Sequence, residues 1–455
     1  MQEFLFRTGD QKPYINCYIH YDNVKNMKKL IIITFLAIIV FSSCKKEVGP
    51  TTDTNTLLAR DYLYTSMNDL YLWYNLMPVV VKDDYNDPYT LLEAMRYKTL
   101  DRWSFIQTYD EYTAMEQASF VGHGISMGLD PTNKVRIVQI YNNSPLYSKG
   151  VRRGWIVKKL NGTDLAPIFI SKNSAAYTQL IGPSQAGIPN TFLFQIPDGR
   201  DSTITSTKAS FTLNTVIVYD TLHLKLGITG HMVFDQFMPP SNAELATAFA
   251  FFKQNNIADL IVDLRYNGGG DVTVLTNMAS YIAGLANVNK SFLKLICNDK
   301  NTSQNEAFNF NTVSSPMALT RLIIICSRET ASASEQLING LKPYLDVRCI
   351  GDTTNGKPVG MFGLQYKTDY MFWPICFAIM NSSNQGGFYN GFAPMKYVPD
   401  DFTHDWSDRN ELCLKEAIYY LEHGSVSSKG TYLYQPSIKF SEKPNKFNNA
   451  IIVKK

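Results

Sequence analysis

The sequence has no run of the about 20 apolar residues that a bilayer-spanning helix requires. Histidine is scarce, with six in 455 residues, and no C-x-x-C pair or His-rich spacing occurs. Without that ligand spacing a zinc site has no basis. One-sided charge is missing too: the net charge is +3 and lysines and arginines are scattered, so nucleic-acid binding has little support. What is present is globular: 45% hydrophobic residues, 18% charged and 13% aromatic. A chain this long is expected to fold as two or three domains.

The start of the chain carries a processing signal. Lys28 and Lys29 precede a short apolar run, Leu30 to Phe41, and Ser42 and Ser43 lead into Cys44. A basic start, an apolar stretch and small residues before a cysteine read as a secretory signal. The pattern resembles a bacterial lipoprotein lipobox, with Phe41 where Leu is usual, which implies lipidation of Cys44. The alternative is a plain signal peptide with a chance cysteine. Residues 1–26 are polar and unlike a signal, so translation is expected to begin at Met27, with 1–26 a gene-start artefact. Residues 27–44 are then the signal and 45–55 a Thr- and Asp-rich tether. Cys326 and Cys349 lie in apolar strand-like runs and read as buried hydrophobes.

Residues 56–115 look helical. Leu57, Leu58, Tyr62, Leu63 and Met67 recur at helical spacing, and Leu91, Leu92, Met95 and Tyr97 suggest a second helix. Tyr71, Trp73 and Tyr74 read as core, and the segment offers no chemistry. Residues 116–215 switch to short β-runs broken by Gly, Pro and Asn. Within them, Ser148 to Val157 leads into Leu160-Asn161-Gly162, which resembles the PDZ pattern, with Trp155 where Asp is usual. That resemblance implies a small, mostly β domain. Gly124, Ile125, Ser126 and Met127 would form a loop whose N–H groups hold a peptide's C-terminal carboxylate; a glycine-rich turn is the plainer reading. From 216 to 425, strand and helix alternate. Strands are expected at Ala258–Leu264, Arg321–Cys326 and Val347–Ile350, and helices at Asp271–Ala283, Ser332–Leu341 and Glu411–Leu421. This alternation predicts an α/β core. Residues 426–455 read as a mobile tail.

Three segments of that core could carry chemistry. Ser332 follows a strand and opens a helix whose N–H groups point toward it. Ser332-x-x-Glu335 is equally a capping box, which any helix start can use. Ser332 sits in no G-x-S-x-G elbow, and Glu335 takes the lysine position of S-x-x-K. Lys357, in Thr353-Thr354-Asn355-Gly356-Lys357-Pro358, lies on a turn-rich loop that could return to the same sheet edge. A free lysine titrates near about 10.4 and must be buried to act as a base near neutral pH. Otherwise it is a solvated loop lysine. Asp263-Leu264-Arg265-Tyr266-Asn267-Gly268-Gly269-Gly270-Asp271 joins a buried strand to a helix and matches neither a Walker loop nor a dinucleotide fingerprint. Its glycines offer bare N–H groups for an oxyanion hole, Gly268 or Gly269 with Ala333, or simply a tight turn.

Taken in order, D-L-R-x-N-G-G-G, S-A-S-E and the T-x-G-K lysine resemble the S41, or tail-specific, peptidases. The 25-residue interval from Ser332 to Lys357 matches the family's dyad spacing. The resemblance implies an α/β protease core, a ClpP/crotonase-like sheet with helices. It also implies a PDZ-like insert and an N-terminal helical segment. Carried over singly, Ser332 is the nucleophile, Lys357 the base, and Ala333 with Gly268 and Gly269 the oxyanion hole. Glu335 and Thr354 support the site, and neither metal nor cofactor is needed. Two positions depart from the family: Pro343 stands where some members have Asp, and Met361 where many have Gln, with Gln365 displaced. The implied partners are protein or peptide substrates with free C-termini and, through Cys44, a membrane of the cell envelope. A non-catalytic binder of peptides or hydrophobic ligands, or a PDZ scaffold, are the competing readings. The first should lack Ser332 or Lys357, and the second leaves their spacing to chance.

Overall fold

The computed structural model describes residues 53–428, 432, 438–442 and 451–453; the expected signal, Cys44 and most of the tether lie outside them. The core is a six-stranded sheet in the order Val216–Leu224, Gly227–Phe234, Asp259–Asp263, Arg321–Cys326, Asp346–Gly351, Lys396–Tyr397. The first pair is an antiparallel hairpin and the others pair in parallel. Parallel neighbours need long crossovers, here the helices Ser241–Gln254, Val272–Ala283 and Ala333–Leu341. A sheet covered on both faces is built from unbroken apolar strands. Leu260, Val262, Leu322 and Ile324 face those crossover helices. Ile261, Ile323 and Ile325 face the helix Leu412–His423 on the other side.

Two of these helices, Val272–Ala283 and Ala333–Leu341, lie between this sheet and a second six-stranded one, in the order Gly270–Asp271, Ile451–Val453, Val359–Phe362, Ile375–Asn381, Ser291–Cys297, Glu306–Asn309. The helix Ala333–Leu341 is therefore buried all round. Five cysteines, Cys297, Cys326, Cys349, Cys376 and Cys413, are buried free thiols.

The N-terminal segment has helices at Thr54–Leu70, Pro88–Met95 and Tyr109–Glu116. It is not purely helical. Phe105–Thr108 pairs antiparallel with Tyr370–Trp373, so the segment is stitched to the core. Leu63 and Met67 are buried as the spacing predicts, but Leu58 and Tyr62 are exposed, and Arg60 takes the inner face instead. Arg60 donates to the Tyr85 carbonyl and pairs with Asp61 and Asp83.

The small domain packs its own core beneath the strands Ile125–Leu129, Val135–Ile140, Ile156–Leu160, Pro189–Gln195 and Asp201–Thr207. Two short helices, Ala166–Ile170 and Ser174–Ile181, cover one side. Arg153 fastens it to the core: its guanidinium donates to Val138 O and Asp401 O and stacks on Trp406, 3.7 Å from the ring centroid.

The expected mobile tail is corrected where it is described. Ile438–Ser441 extends the small-domain sheet beside Ile125–Leu129, and Ile451–Val453 inserts between Gly270–Asp271 and Val359–Phe362. Its Ser-, Lys- and Asn-rich composition suggested solvation, but alternate residues such as Ile438 and Phe440 give strand faces something to bury.

Arg265 is the ionic centre of the core. It is buried, binds Asp263 through two nitrogens, and reaches Glu411 at 2.7 Å and Asp400 at 3.2 Å. Removing one partner of a buried cluster strands the remaining charges. Arg265→Met should therefore cost roughly 3–5 kcal/mol in urea unfolding. A loss below about 1 kcal/mol would show that the cluster contributes little.

Candidate active site

Ser332 sits one residue before the helix Ala333–Leu341, at φ 59° and ψ −113°. A positive φ is rare for a residue with a Cβ, and its cost is met by surrounding contacts. Here those contacts are specific. Ala331 N–H donates to Asn267 O at 3.1 Å, and Ser332 N–H donates to Glu335 Oε2 at 3.0 Å. The Ser332 hydroxyl is buried and makes no hydrogen bond among the described residues.

Glu335 carries the geometry further. Its Oε2 also accepts Lys357 N–H at 2.8 Å, while Oε1 accepts Gly356 N–H and the Thr354 hydroxyl, both at 2.6 Å. One buried carboxylate thus holds the backbone of Ser332 and that of Lys357. Burial pushes the Glu335 carboxyl up, against those donors.

Lys357 is fully buried. Burial brings its ammonium down to about 7, with the Asp101 and Glu335 carboxylates opposing the shift. Its Nζ contacts the Met361 thioether at 3.8 Å and lies 5.9 Å from the Trp103 ring centroid. Met361 thus fills the space beside the amine, whereas Gln365 turns away and donates to Lys367 O.

The glycine loop closes the other side. A Cβ on Gly269, at φ 106°, would fall 2.8 Å from Ser332 Cβ and 2.9 Å from Ala333 N. Only glycine permits this approach. Its own N–H, however, donates to Asn267 Oδ1 at 2.9 Å. Gly269 is therefore corrected from donor to spacer. The N–H groups of Gly268 and Ala333 make no hydrogen bond among the described residues.

Two residue sets escaped the sequence reading. Asn267 ties the glycine loop to Phe234 O and, through its own carbonyl, to Ala331 and Ser334. The N-terminal segment, read as silent, brings Asp101 and Trp103 to the lysine. Arg102 Nη2 and Trp103 Nε1 donate to Asn355 O and Asn355 Oδ1, two residues before Lys357. Asp101 accepts from the Tyr71 hydroxyl, the Ser104 hydroxyl and two backbone N–H groups.

Gly124, Ile125, Ser126 and Met127 lie apart from Ser332, in the small domain. Gly124 N–H donates to a carboxylate oxygen of Glu442, and so does the N–H of His123 beside it. Ser126 and Met127 are instead in ladder register with Ser441 and Phe440. Gly124 to Gly128 spells G-x-S-x-G, but Ser126 lies in a strand paired on both sides, so it is no elbow.

Comparison with known proteins bears on the family and the fold. Residues 228–379 match the model of peptidase family S41, and residues 59–105 match the peptidase S41 N-terminal domain. A protein of Staphylococcus epidermidis named as a CtpA-like serine protease is 22% identical over 342 residues, 72% of this chain and 62% of the relative. The chain thus spans less than two thirds of that relative's length. The chloroplastic C-terminal processing peptidase of Tetradesmus obliquus is 29% identical over 128 residues, 28% of this chain and 26% of that one. The crystal structure of a Bacteroides fragilis protein described as an S41 protease shares the fold, with TM-score 0.67 and 19% identity. That match covers 79% of this chain and 96% of the other.

The burial of Lys357 fixes the sign of a pH effect. Below about 7 the amine is protonated in folded and unfolded chains alike, so the folded state carries the full cost of burying the charge. Between 7 and 10.5 the folded chain has shed the proton and the unfolded chain has not, so stability rises with pH. Lys357→Met removes this dependence. The stability of the unsubstituted chain relative to Lys357→Met should climb by about 2 kcal/mol between pH 7 and 9. Parallel pH profiles in urea unfolding would mean that Lys357 titrates normally.

Proposed function

We propose that this chain, which matches peptidase family S41 over residues 228–379, is a serine endopeptidase working through Ser332 and Lys357. The observation that carries the reading is Lys357 itself: a buried amine brought to about 7, its backbone clamped by the carboxylate that clamps Ser332. Such an amine is largely neutral at physiological pH and can take a proton.

Ser332 Oγ attacks the scissile carbonyl carbon while Lys357 Nζ accepts the hydroxyl proton. The carbonyl oxygen becomes an oxyanion, which the N–H groups of Gly268 and Ala333 receive. Collapse of this intermediate breaks the C–N bond, and the departing amine takes the proton from Lys357. Water then attacks the acyl-enzyme by the same route, returning Ser332 and releasing the carboxylate product. Asp101, Trp103 and Met361 act on Lys357 without touching substrate, keeping the amine dry and in place.

Substrates are proteins or peptides chosen by their C-terminal region, read by the small domain as a PDZ-like module through an added strand and a carboxylate-holding loop. The chain is exported and anchored in the cell envelope by a lipid on Cys44. This placement rests on the basic, apolar and small-residue pattern ending at that cysteine. Cys44→Ala should move the protein from the membrane fraction to the soluble one; equal partitioning of both forms counts against the anchor.

Ser332→Ala and Lys357→Ala should each lower peptide cleavage at least about 10³-fold with the fold retained. Lys357→Arg should fail as well, because a guanidinium stays protonated. In the unsubstituted enzyme, kcat/KM should rise with pH through about 7 as Lys357 loses its proton. Undiminished cleavage by Lys357→Ala would eliminate the lysine as base.

A further inference from the structure

The segment Ile438–Glu442 lies on the small domain in the manner of a peptide ligand. Ile438–Ser441 runs antiparallel to Ile125–Leu129, with Phe440 opposite Met127 and Ser441 opposite Ser126. At its end, Glu442 Oε2 accepts His123 N–H at 2.9 Å and Gly124 N–H at 3.1 Å, and the Ile125 N–H also binds this carboxylate. The Glu442 side chain is only 3% exposed, and Lys208 Nζ lies 3.7 Å from Oε1. Three successive backbone N–H groups beside a buried ammonium form an anion-binding nest. The nest is held rigidly. The buried His123 ring is gripped by Ser206 Oγ at 3.0 Å and Asn190 Oδ1 at 2.7 Å, and Lys208 donates to the carbonyls of Gly182 and Pro183.

Two residues earlier, the Phe440 ring packs on Phe169 and Tyr177, with centroids 4.5 Å and 5.3 Å away. The groove therefore reads a ladder-forming main chain, an aromatic ring and a carboxylate. An internal segment has no terminal carboxylate to offer; the Glu442 side chain supplies one.

Side chains alternate across a strand, so Lys439 points the other way, toward the core. Its Nζ is 2.7 Å from Glu329 Oε1 and 4.0 Å from the Tyr266 ring centroid. Glu329 is three residues before Ser332, and Tyr266 adjoins Asn267 of the glycine loop. A cavity of about 200 Å³ lies there, lined by Gly124, Ser126, Tyr266, Glu329, Lys439 and Ser441.

We propose that Ile438–Glu442 is an internal ligand of the small-domain groove, which a substrate's free C-terminus must displace. Its displacement would also withdraw Lys439 from the two loops that flank Ser332. This rests on the reading of the small domain as a module that recognises peptide C-termini.

Binding is measured on the full chain carrying Ser332→Ala, so that the result is independent of cleavage. The probe is a fluorescein-labelled peptide, Ser-Ile-Lys-Phe-Ser-Val, as free acid and as C-terminal amide. Adding Phe440→Ala with Glu442→Gln should tighten free-acid binding at least about tenfold, because these changes remove the segment's ring and its charge while leaving the groove intact. A second variant, Ser126→Cys with Ser441→Cys, places thiols on directly opposed residues. Its oxidised form should not bind the peptide, and reduction should restore binding. Equal affinity of the parent and the Phe440/Glu442 variant, or full binding by the oxidised form, overturns the internal ligand and leaves the C-terminus reading standing. Equal affinity for free acid and amide overturns that reading, and this inference with it.

Discussion

The Glu335 carboxylate is the constraint on which the site depends. Two loops leave successive parallel strands, Arg321–Cys326 and Asp346–Gly351, and nothing in a sheet ladder fixes where such loops end. Glu335 fixes both. It gathers N–H groups from Ser332, Gly356 and Lys357 and the Thr354 hydroxyl, so the strained backbone of the serine and the backbone of the lysine share one anchor. Burying an ion is costly unless its hydrogen bonds are met. Four donors meet that need here, and Lys357 is fully buried beside them.

This also resolves a choice that the sequence leaves open. Ser332-x-x-Glu335 reads either as a helix cap or as part of a reactive site, and the two are one arrangement. Glu335 reaches back to the N–H of Ser332 as a capping glutamate does, and with its remaining capacity it reaches across to the lysine loop. Capping alone would not bury the residue so completely or draw a second loop to it.

The alternation of strand and helix was legible because a buried parallel sheet imposes unbroken apolar runs such as Leu260–Val262 and Leu322–Ile325. The site segments were legible because a turn with three glycines and a lysine before proline are conspicuous locally. Other features were not, since their signals are nonlocal. Asp101-Arg102-Trp103-Ser104 resembles any short polar–aromatic stretch, and only its docking on Asn355 gives it a place at the site. The tail misled for a related reason: two brief strands in a Ser-, Lys- and Asn-rich stretch gain order from the sheets they join rather than from their own periodicity. Leu58 and Tyr62 fit a helical stripe, but the buried face goes to Arg60 because Asp61, Asp83 and the Tyr85 carbonyl satisfy its charge.

The Asp263–Asp271 segment divides into two halves with different duties. Gly269 stands against Ser332, whereas Arg265, itself held by Asp263, and Tyr266 anchor the loop to Asp400 and Glu411. Burial alone would raise the Asp400 carboxyl, but Lys439, Arg265 and Arg153 hold it well below the usual carboxylate range. Those cations belong to three parts of the molecule: the C-terminal strand, the core and the small domain. Asp400 therefore holds the base of the glycine loop to groups from all three, and a shift in any of them changes the field at that base. The loop that faces the nucleophile is thus positioned from beyond the core that carries it.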